Sequence, residues 1–390
     1  MRVLLVNPPD ASQGGVSNPV LGLLYLASYI RDLVEVEYID GFLEGWDGYK
    51  KKLELFKPNI VGVTMLTKDR HKSLQALHMA KDTGAITVTG GAHASAMAEQ
   101  IAANYPYVDY IIQGEGEHAL KELLKDIIQG YEDMPKIIQG NNLPLDEIGH
   151  PAWDMGYLDT DRYIGNADIR VPIIASRGCS GSCAFCSTWR FWRKYRARHP
   201  EDIADEIEMI VRDYGKSHFV FEDDSLSCDI TAAKDTMRAI IKRHLDIRFF
   251  STMRADGIDD ELAALIKEAG GYGVSIGFES GSQRILDIMH KHITVEQNIK
   301  AALTVKQAGL SLCALMVYNT VGERDEDRLA NHQFLTLIKA DDLGTLGCLW
   351  ILPDTHFYHQ MVEHKFLNDS YWLGAEPVYV YNKEIDFLYP

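Results

Sequence analysis

The stretch SRGCSGSCAFCSTW, residues 176–189, is the most informative part of the chain. It places cysteines at Cys179, Cys183 and Cys186, a CxxxCxxC spacing, directly after an apolar segment that predicts a β-strand. Thiolates hold iron–sulfur clusters, and a [4Fe–4S] cubane normally takes four of them. Three thiolates from one loop leave one iron open, and an open metal position can bind a substrate. We therefore predict that these three cysteines are the metal ligands and the catalytic centre.

Two other interpretations of the cysteine loop are possible on sequence grounds. It could hold zinc with a distant fourth ligand such as His199, although zinc loops favour paired C-x₂-C units. The three thiols could also be unrelated buried side chains. Six cysteines in 390 residues are too few for a disulfide scaffold. The remaining three, Cys228, Cys313 and Cys348, each stand alone in the sequence, where a free cysteine is usually a small buried hydrophobe.

Strands and helices alternate on either side of the cysteine loop. Helical stretches such as residues 200–215 separate the strands, which is typical of βα units. The predicted strands of this series are VPIIAS (171–176), SHFVFE (217–222), IRFFST (247–252), GVSIGF (273–278), SLCALMVY (311–318) and TLGCLWIL (345–352). Six units are fewer than the eight of a closed barrel, so we predict an open, partial (βα)₆ barrel of the TIM type over residues 169–360.

The first 130 residues show the same alternation and predict a separate α/β domain with a parallel, Rossmann-like sheet. Its predicted strands are RVLLV (2–6), VEVEYI (34–39), NIVGVT (59–64), AITVT (85–89) and DYII (109–112). Glycines follow the fourth and fifth strands, at the sheet edge where open α/β folds bind ligands. Residues 131–168 lack periodicity and read as a linker, and residues 361–390 as a short C-terminal extension.

Composition and charge narrow the possible partners. The chain is 46% hydrophobic and 24% charged, which is typical of a folded globular protein. A formal net charge of −17 argues against nucleic acid as a partner, because such affinity depends on clustered Lys and Arg. Apolar runs stay shorter than the roughly 18 residues that a membrane span needs. We therefore expect a cytoplasmic protein that does not bind membranes.

The cysteine spacing at the end of the first barrel strand resembles the radical S-adenosylmethionine (SAM) superfamily. FVFEDDSL (219–226) is similar to the acidic loop of that family, and STMRAD (251–256) and IGFESGSQRILD (276–287) are similar to its later SAM-lining strands. The resemblance implies that Glu222 and Asp223 bind the methionine amine, Arg254 the carboxylate, and Glu279 and Ser280 the ribose. These types suit their ligands, because an ammonium needs acceptors and a carboxylate needs a cationic donor. Phe185 either faces the adenine or shields the cluster.

The first domain resembles the cobalamin-binding domain of one radical SAM subfamily. The similarity lies in NPVLGLLYLASYI (18–30), VGVTMLT (61–67), TGGAHASA (89–96) and YIIQGEGE (110–117). The residues that it assigns to cobalamin binding are Leu21, Gly22, Thr64, Thr67, Arg70, Gly90, Gly91, His93, Gly114, Glu115 and Gly116. Such a sheet could also bind another nucleotide or no ligand. The loop after the first strand, NPPDASQGG, lacks the histidine of DxHxxG loops, so we expect no cobalt ligand from it. The loop after the third strand holds Lys68, Asp69, Arg70 and His71, and Arg70 is our first choice for a residue under the cobalt; these residues could also be a surface charge cluster at a helix start.

Residues 183–208 are similar to the corresponding stretch of the anaerobic magnesium-protoporphyrin cyclases, which are also cobalamin-dependent radical enzymes. Aromatic and basic residues alternate here, and they could contact a flat or anionic substrate or brace the barrel against the first domain. We favour bracing. These residues are Trp189, Arg190, Phe191, Trp192, Arg193, Arg196 and Arg198. The turn YNTVGE (318–323) departs from the glycine-proline-glycine-glutamate turn of those relatives.

The resemblance implies reductive cleavage of SAM to a 5′-deoxyadenosyl radical, hydrogen abstraction from an unactivated carbon and methyl transfer from methylcobalamin. The implied reductant is a flavodoxin or ferredoxin, and the substrate an unidentified small molecule or peptide. Three alternatives stand beside this expectation. They are an oxidation or ring closure of the cyclase type, radical chemistry with a first domain that binds no cobalamin, and a cluster-bearing sensor that is not an enzyme.

Overall fold

The computed structural model describes residues 1–9, 18–131, 133–156, 158, 170–344 and 347–381. The chain forms two compact units. Unit 1 comprises Met1–Ile169 and His359–Val378, and unit 2 comprises Arg170–Tyr358 and Tyr379–Pro390. Both units are α/β, which confirms the predicted fold class. The stretch predicted as a linker and much of the predicted C-terminal extension lie in unit 1.

Unit 1 contains a six-stranded parallel sheet in the order β2-β1-β3-β4-β5-β6. Its strands are β1 (Arg2–Asn7), β2 (Glu35–Asp40), β3 (Ile60–Thr64), β4 (Ile86–Gly90), β5 (Tyr110–Gln113) and β6 (Ile137–Gln139). The order reverses between β1 and β3, and open α/β sheets bind ligands beside such a point, at the carboxyl ends of the strands. The short strand β6 lies inside the predicted linker and pairs with β5, an addition that three residues cannot reveal by periodicity.

The helices of unit 1 pack against the strands of the sheet, from β2 at one edge to β6 at the other. They are α1 (Leu21–Ile30), α2 (Gly41–Phe56), α3 (Arg70–Asp82), α4 (Ala92–Ala96), α5 (Ala98–Asn104) and α6 (Glu117–Gln129). Helix α6 shows why these segments fold as they do. Leu120, Leu123 and Leu124 share one helical face and are buried, and Gly130 ends the helix with a φ of 80°.

Unit 2 contains a parallel sheet whose main path runs β7-β10-β11-β12-β13-β14, with β15 pairing with β13 beside it. The strands of the parallel sheet are β7 (Val171–Ile173), β10 (His218–Phe221), β11 (Arg248–Met253), β12 (Gly271–Glu279), β13 (Ser311–Tyr318), β14 (Asp342–Leu343) and β15 (Gly347–Cys348). Six strands in sequential order, without closure in the described part of the chain, confirm the predicted partial barrel. Residues 345 and 346 of the sixth predicted strand lie outside the described residues.

Helices connect these strands. They are α7 (Thr188–Trp192), α8 (Pro200–Tyr214), α9 (Ile230–Lys242), α10 (Asp260–Glu268), α11 (Gln283–Ile288), α12 (Val295–Gln307), α13 (Asp325–Ile338) and α14 (His356–Glu363). Side-chain caps fix several starting points: Asp229 accepts from two amides at the start of α9, and Thr294 forms a capping box with Gln297 at the start of α12. None of the helices in the described ranges has both the length and the apolar content for a bilayer crossing.

Two short strands that the sequence did not predict enclose the cysteine loop. β8 (Ser176–Arg177) and β9 (Arg196–Ala197) pair antiparallel, with Arg177 opposite Arg196. The chain between them therefore forms a loop that is closed at its base. Because Gly178 follows β8 directly, the position of the first cysteine is set by this pairing.

Arg198 anchors the end of this loop to the barrel. Its Nη1 donates to the carbonyl oxygen of Ile174 at 2.9 Å, and its guanidinium pairs with Asp202 and Glu206 of α8, each at 2.6 Å. The side chain of Glu206 is fully buried. These contacts lie within unit 2 and hold α8 against the end of β7.

We expect Arg198→Met to lower the free energy of unfolding by about 3–5 kcal/mol, because it leaves the Glu206 carboxylate buried without its cation. The matched control is Arg212→Met, which breaks the exposed pair with Asp213 and should leave the free energy of unfolding nearly unchanged. Urea unfolding followed by circular dichroism measures both. Equal midpoints for the two variants would contradict a bracing role.

Candidate active site

The cysteine loop depends on two glycines. Gly178 has a φ of 89°, and a Cβ there would lie 2.5 Å from the carbonyl oxygen of Lys194. At Gly181 a Cβ would lie 2.6 Å from Nη1 of Arg254. A side chain at Gly178 would therefore displace the loop, whereas one at Gly181 would push aside the end of the Arg254 side chain. Gly178 lets the chain turn just before Cys179, and Gly181 leaves room for Arg254 between Cys179 and Cys183.

The middle of the loop is held by backbone hydrogen bonds on both sides. The amide of Ala184 donates to the carbonyl of Met289 at 2.8 Å, and the amide of Phe357 donates to the carbonyl of Ala184 at 3.1 Å. Cys183 is buried, whereas Cys179 and Cys186 are half-buried. Phe185, between the last two ligands, is also half-buried. The three thiols thus sit on a segment whose path is fixed from two directions.

Asp224 ties the two ends of the loop together. Its carboxylate accepts from the amide of Gly178 at 3.2 Å and from the hydroxyl of Thr188 at 3.0 Å. Asp224 was not predicted from sequence, because EDD at 222–224 offers three adjacent carboxylates and no spacing rule distinguishes them. Its contacts make it a loop-positioning residue.

The two neighbouring carboxylates of the acidic loop lie in different environments. Asp223 is 5% exposed and accepts hydrogen bonds from the amide of Ala175 and the hydroxyl of Ser176. Burial raises the pKa of Asp223 to about 7, although the hydrogen bond from Ser176 partly opposes this shift. Glu222 is exposed, and its amide donates to Ile173. The two residues that the resemblance assigns to the methionine amine therefore differ in accessibility.

Arg254 faces the cysteine loop with only part of its guanidinium. Nε and Nη2 donate to the carboxylate of Asp256 at 3.0 and 2.9 Å, and Nη2 also donates to the carbonyl of Lys291 at 3.1 Å. Nη1 lies 3.9 Å from Sγ of Cys183. The bidentate edge of this arginine is thus engaged by Asp256, and the Nη1 edge points toward the cysteines.

A buried ion pair lies at the end of β12. Nζ of Lys291 is 2.7 Å from the carboxylate of Glu279, and both side chains are largely buried. Glu279 adopts a φ of 63° at a register shift of the strand, which turns its side chain out of the regular alternation. The hydroxyl of Ser280 donates to Asn331 at 2.7 Å. Sequence reasoning missed Lys291, since a single lysine in MHKHIT carries no pattern.

A fourth cysteine, Cys228, lies beside the loop. Sγ of Cys228 is 3.6 Å from Sγ of Cys179 and accepts a hydrogen bond from the amide of Ser180 at 3.4 Å. The expectation that Cys228 is an isolated buried thiol does not describe this position, because the residue is half-buried and contacts a predicted ligand. The 49-residue separation of the two cysteines hides the contact from any local spacing rule.

The described residues contain no group of three or more His, Cys, Asp or Glu side chains arranged around one metal ion. A cubane does not need such a group, because its three thiolates bind three different irons. Tight glycines, a loop fixed at both ends and buried cations near Cys183 suit an anionic cluster. The residues present therefore fit a [4Fe–4S] cluster.

In unit 1, the predicted cobalamin residues gather at the carboxyl edge of the sheet. Gly91 has a φ of 100°, and a Cβ there would lie 3.0 Å from the carbonyl oxygen of Met65. Gly114 follows β5 with a φ of 93°. The other predicted residues of this edge are Thr64 and Gly90, which end β3 and β4, and Glu115 and Gly116, which precede α6. Residues 10–17, which include most of the loop NPPDASQGG, lie outside the described residues.

His93 and Thr67 form a buried polar contact at this edge. Nδ1 of His93 lies 3.2 Å from the hydroxyl of Thr67, and the imidazole is 1% exposed. Burial, assisted by the charge of Arg70, lowers the pKa of His93 to about 3, so the ring is neutral at physiological pH. Leu21 and Gly22 begin α1, where Gly22 is exposed with open space at its Cβ position.

Arg70 is buried and held by carbonyl oxygens. Its guanidinium donates to Thr67 at 3.0 Å, to Trp372 at 3.0 Å and to Glu376 at 2.5 Å, and lies over the indole of Trp372 at 5.3 Å. The hydroxyl of Tyr105 donates to the carbonyl of Leu373. A segment of the predicted C-terminal extension therefore covers the start of α3 within unit 1. Glycines that admit a flat ligand, together with a fixed cation, fit a corrin at this edge.

We expect the stability of unit 2 to fall as pH rises from about 4 to about 7, because the folded state keeps the proton on Asp223 after the unfolded chain has lost it. Asp223→Asn should remove this dependence and raise the free energy of unfolding above pH 7 by up to about 4 kcal/mol. Asparagine can still accept from Ala175 and donate to Ser176.

Urea unfolding at a series of pH values measures this effect. Asp213→Asn, at an exposed carboxyl, is the control and should keep the wild-type profile. A profile of Asp223→Asn that runs parallel to the wild type would show that Asp223 is ionised in the folded state.

Comparison with known families assigns both units. The radical SAM superfamily matches residues 173–335, and the B12-binding domain family matches residues 13–124. The first match includes the cysteine loop and the strands from β10 to β13, and the second includes the glycine-edged sheet of unit 1. A radical SAM domain implies SAM and a [4Fe–4S] cluster, and a B12-binding domain implies cobalamin. These are the three predicted cofactors.

Two relatives and one solved structure extend the similarity over both units. An anaerobic magnesium-protoporphyrin IX monomethyl ester cyclase of Rubrivivax gelatinosus is 30% identical over 84% of the chain, which spans 64% of that enzyme. An uncharacterized methyltransferase of Pyrococcus horikoshii is 30% identical over 95% of the chain and 85% of its own length. The radical SAM methyltransferase TsrM of Kitasatospora setae matches in fold with a TM-score of 0.79 at 20% identity, covering 93% of this chain and 76% of TsrM. The chain belongs to the radical SAM superfamily, in the group whose members carry a B12-binding domain.

Proposed function

We propose that this enzyme is a cobalamin-dependent C-methyltransferase that acts on an unactivated carbon of a small molecule or peptide. The observation that carries the proposal is the presence, in one chain, of the three-cysteine loop with its cations and of a B12-binding unit. When bound, the cluster supplies the electron that cleaves SAM to a 5′-deoxyadenosyl radical, and cobalamin supplies the methyl group. The similarity to a methyltransferase over 95% of the chain supports this choice.

The residues around the cysteine loop would hold and orient SAM. Glu222 and Asp223 are our candidates for the methionine amine, and the exposed Glu222 is better placed to meet a ligand. Arg254 would direct its Nη1 edge at the methionine carboxylate, since Asp256 engages the other edge. The carboxylate of Glu279 would accept hydrogen bonds from the ribose hydroxyls, and the hydroxyl of Ser280 would donate or accept one. Phe185 would pack on the adenine or shield the cluster from water.

The B12-binding unit would hold the corrin over its glycine edge. Gly90, Gly91 and Gly114 allow close approach, and the neutral imidazole of His93 adds no charge beneath the ring. Arg70 remains our candidate for the residue nearest the cobalt. A guanidinium has no electron pair to give to a metal, so Arg70 itself would not be a cobalt ligand.

An acidic flavodoxin or ferredoxin is the proposed reductant, with the cytoplasm as the proposed location. Arg190, Arg193 and Lys194 are exposed and follow Cys186 within eight residues, in a chain whose net charge is −17. The cation of Arg190 also lies 4.2 Å from the ring of Trp189. A local cationic surface next to a redox centre would steer an acidic partner to it.

An oxidation or ring closure of the cyclase type is the second candidate. It is favoured by the 30% identity with the Rubrivivax cyclase over 84% of the chain. Radical generation would be the same, and no methyl group would reach the product. The aromatic and basic residues of the cysteine loop would then meet a flat, anionic substrate.

The test is anaerobic reconstitution with iron, sulfide and cobalamin, followed by reaction with SAM that carries a trideuterated methyl group, with dithionite as the reductant. Candidate substrates are supplied as metabolite fractions. We expect 5′-deoxyadenosine and S-adenosylhomocysteine in equal amounts and a product heavier by the labelled methyl group, all measured by mass spectrometry. Cys183→Ser should abolish both nucleoside products, and Cys313→Ser is the matched control. If 5′-deoxyadenosine forms without S-adenosylhomocysteine, the methyltransferase proposal is contradicted and the cyclase-type reaction is favoured.

The charges near Cys183 should set the reduction potential of the cluster. Lys291 interacts electrostatically with the thiol of Cys183, and Arg254 lies 3.9 Å from its sulfur. A reduced cluster carries one more negative charge, which a nearby cation stabilises. We expect Lys291→Met to shift the midpoint potential to more negative values and Glu279→Gln to shift it to more positive values.

A redox titration monitored by electron paramagnetic resonance measures both variants, and circular dichroism confirms that each is folded. Lys300→Met, on the partly exposed surface of α12, is the control for a general loss of charge. Shifts of the same sign in Lys291→Met and Glu279→Gln would show that the ion pair acts only by supporting the fold.

A further inference from the structure

Cys228 forms a close sulfur pair with one of the three cluster ligands. Its Sγ lies 3.6 Å from Sγ of Cys179, and the amide of Ser180 holds it in place at 3.4 Å. Among the six cysteines, all of which the structure describes, this is the pair whose sulfurs are in contact. Both residues are half-buried, so a small reagent can reach them.

The backbone around Cys228 fixes its position independently of the cysteine loop. Cys228 ends a single turn of 3₁₀ helix, Leu226–Cys228, and the next residue, Asp229, caps α9 with its side chain. Ser227 is buried, and its hydroxyl donates to the carbonyl of Arg254 at 3.2 Å. The thiol is therefore presented to Cys179 by the fold of the barrel.

We propose that Cys179 and Cys228 form a reversible disulfide when the cluster is absent, a modification that removes one cluster ligand from use. A disulfide needs an S–S distance of about 2.05 Å, so the sulfurs must approach by roughly 1.5 Å, which side-chain rotation can supply. The proposal rests on the cluster role of Cys179 for its consequence. The bond formation itself depends only on the two thiols.

The oxidant is a low-molecular-weight disulfide such as oxidised glutathione. One protein thiolate attacks it and releases one glutathione thiol, which gives a mixed disulfide. The second protein thiol then displaces the other glutathione. In total two protein thiols lose two electrons and two protons, one S–S bond forms in the protein, and one S–S bond of the oxidant is reduced to two thiols.

The consequence is control over cluster assembly. With Cys179 in a disulfide, Cys183 and Cys186 alone cannot hold a cubane that normally needs three or four thiolates. The disulfide would also protect Cys179 from oxidation to sulfinic or sulfonic acid, which is irreversible in most proteins. A thiol reductant would restore the ligand, so cluster loading would follow the redox state of the cell.

The test uses the full chain with its cluster removed anaerobically by a chelator and then incubated with oxidised glutathione. Remaining thiols are blocked with N-ethylmaleimide, and the protein is digested with trypsin. Cleavage after Arg177, Arg190, Lys216 and Lys234 releases one peptide with all three loop cysteines and one with Cys228. Tandem mass spectrometry then locates the link. We expect the Cys179–Cys228 link to exceed links from Cys183 or Cys186 at least tenfold.

Cys228→Ser should lose the link, and Cys348→Ser, at an exposed cysteine, is the matched control that should keep it. After the oxidant is removed, wild-type protein should take up iron and sulfide only once dithiothreitol is added. Separate glutathione adducts without a linked peptide, or equal links to all three loop cysteines, would overturn the proposal. The peptide measurement needs neither SAM nor cobalamin, so its failure is distinguishable from failure of the proposed methyl transfer.

Discussion

The structure of unit 2 depends on one constraint. Three thiolates must be held apart on a single short loop and kept partly shielded from solvent. The backbone meets this constraint through the positive φ of Gly178 and through Gly181, which leaves room for a neighbouring arginine. Asp224 then joins the loop ends, and the backbone bonds of Ala184 hold its centre. Because Asp224 follows β10 and the partners of Ala184 lie after α11 and in α14, the loop takes this path only when the barrel is assembled. The geometry of the three cysteines therefore depends on the folding of the whole barrel.

Charge explains a second layer of the site. The chain as a whole carries a formal charge of −17, yet Arg254 and Lys291 bring cations to the buried side of the cysteine loop. An anionic cluster in a partly buried position needs such neighbours, because Coulomb interactions are weakly screened there. Each cation is itself paired, with Asp256 and Glu279 respectively, so neither is left as an isolated buried charge. The net charge of the chain therefore does not indicate the local electrostatic potential at the cysteine loop.

What the sequence predicts well here is what lies close together along the chain. The cysteine spacing, the strand periodicity and the glycines after β4 and β5 were all readable, and both units formed the predicted parallel sheets, with β6 and β14 as strands that were not predicted. The residues that were missed act over long separations. Cys228 reaches Cys179 across 49 residues, and Trp372 reaches Arg70 across 302. Asp224 was passed over for a different reason, since adjacent carboxylates in EDD alternate between faces and only the assembled strand end decides which one meets the loop.

The contacts of Arg70 change how the edge of unit 1 is understood. A surface arginine at the start of a helix is usually mobile and solvated, and its charge is screened. Here carbonyl oxygens of Thr67, Trp372 and Glu376 take its donors and the indole of Trp372 covers it. Carbonyl oxygens orient a guanidinium without neutralising it, so a full positive charge stays in a buried position beside the neutral His93. Because two of those three carbonyls come from the segment after residue 368, the electrostatics of this edge depend on a part of the chain that lies far from it in sequence.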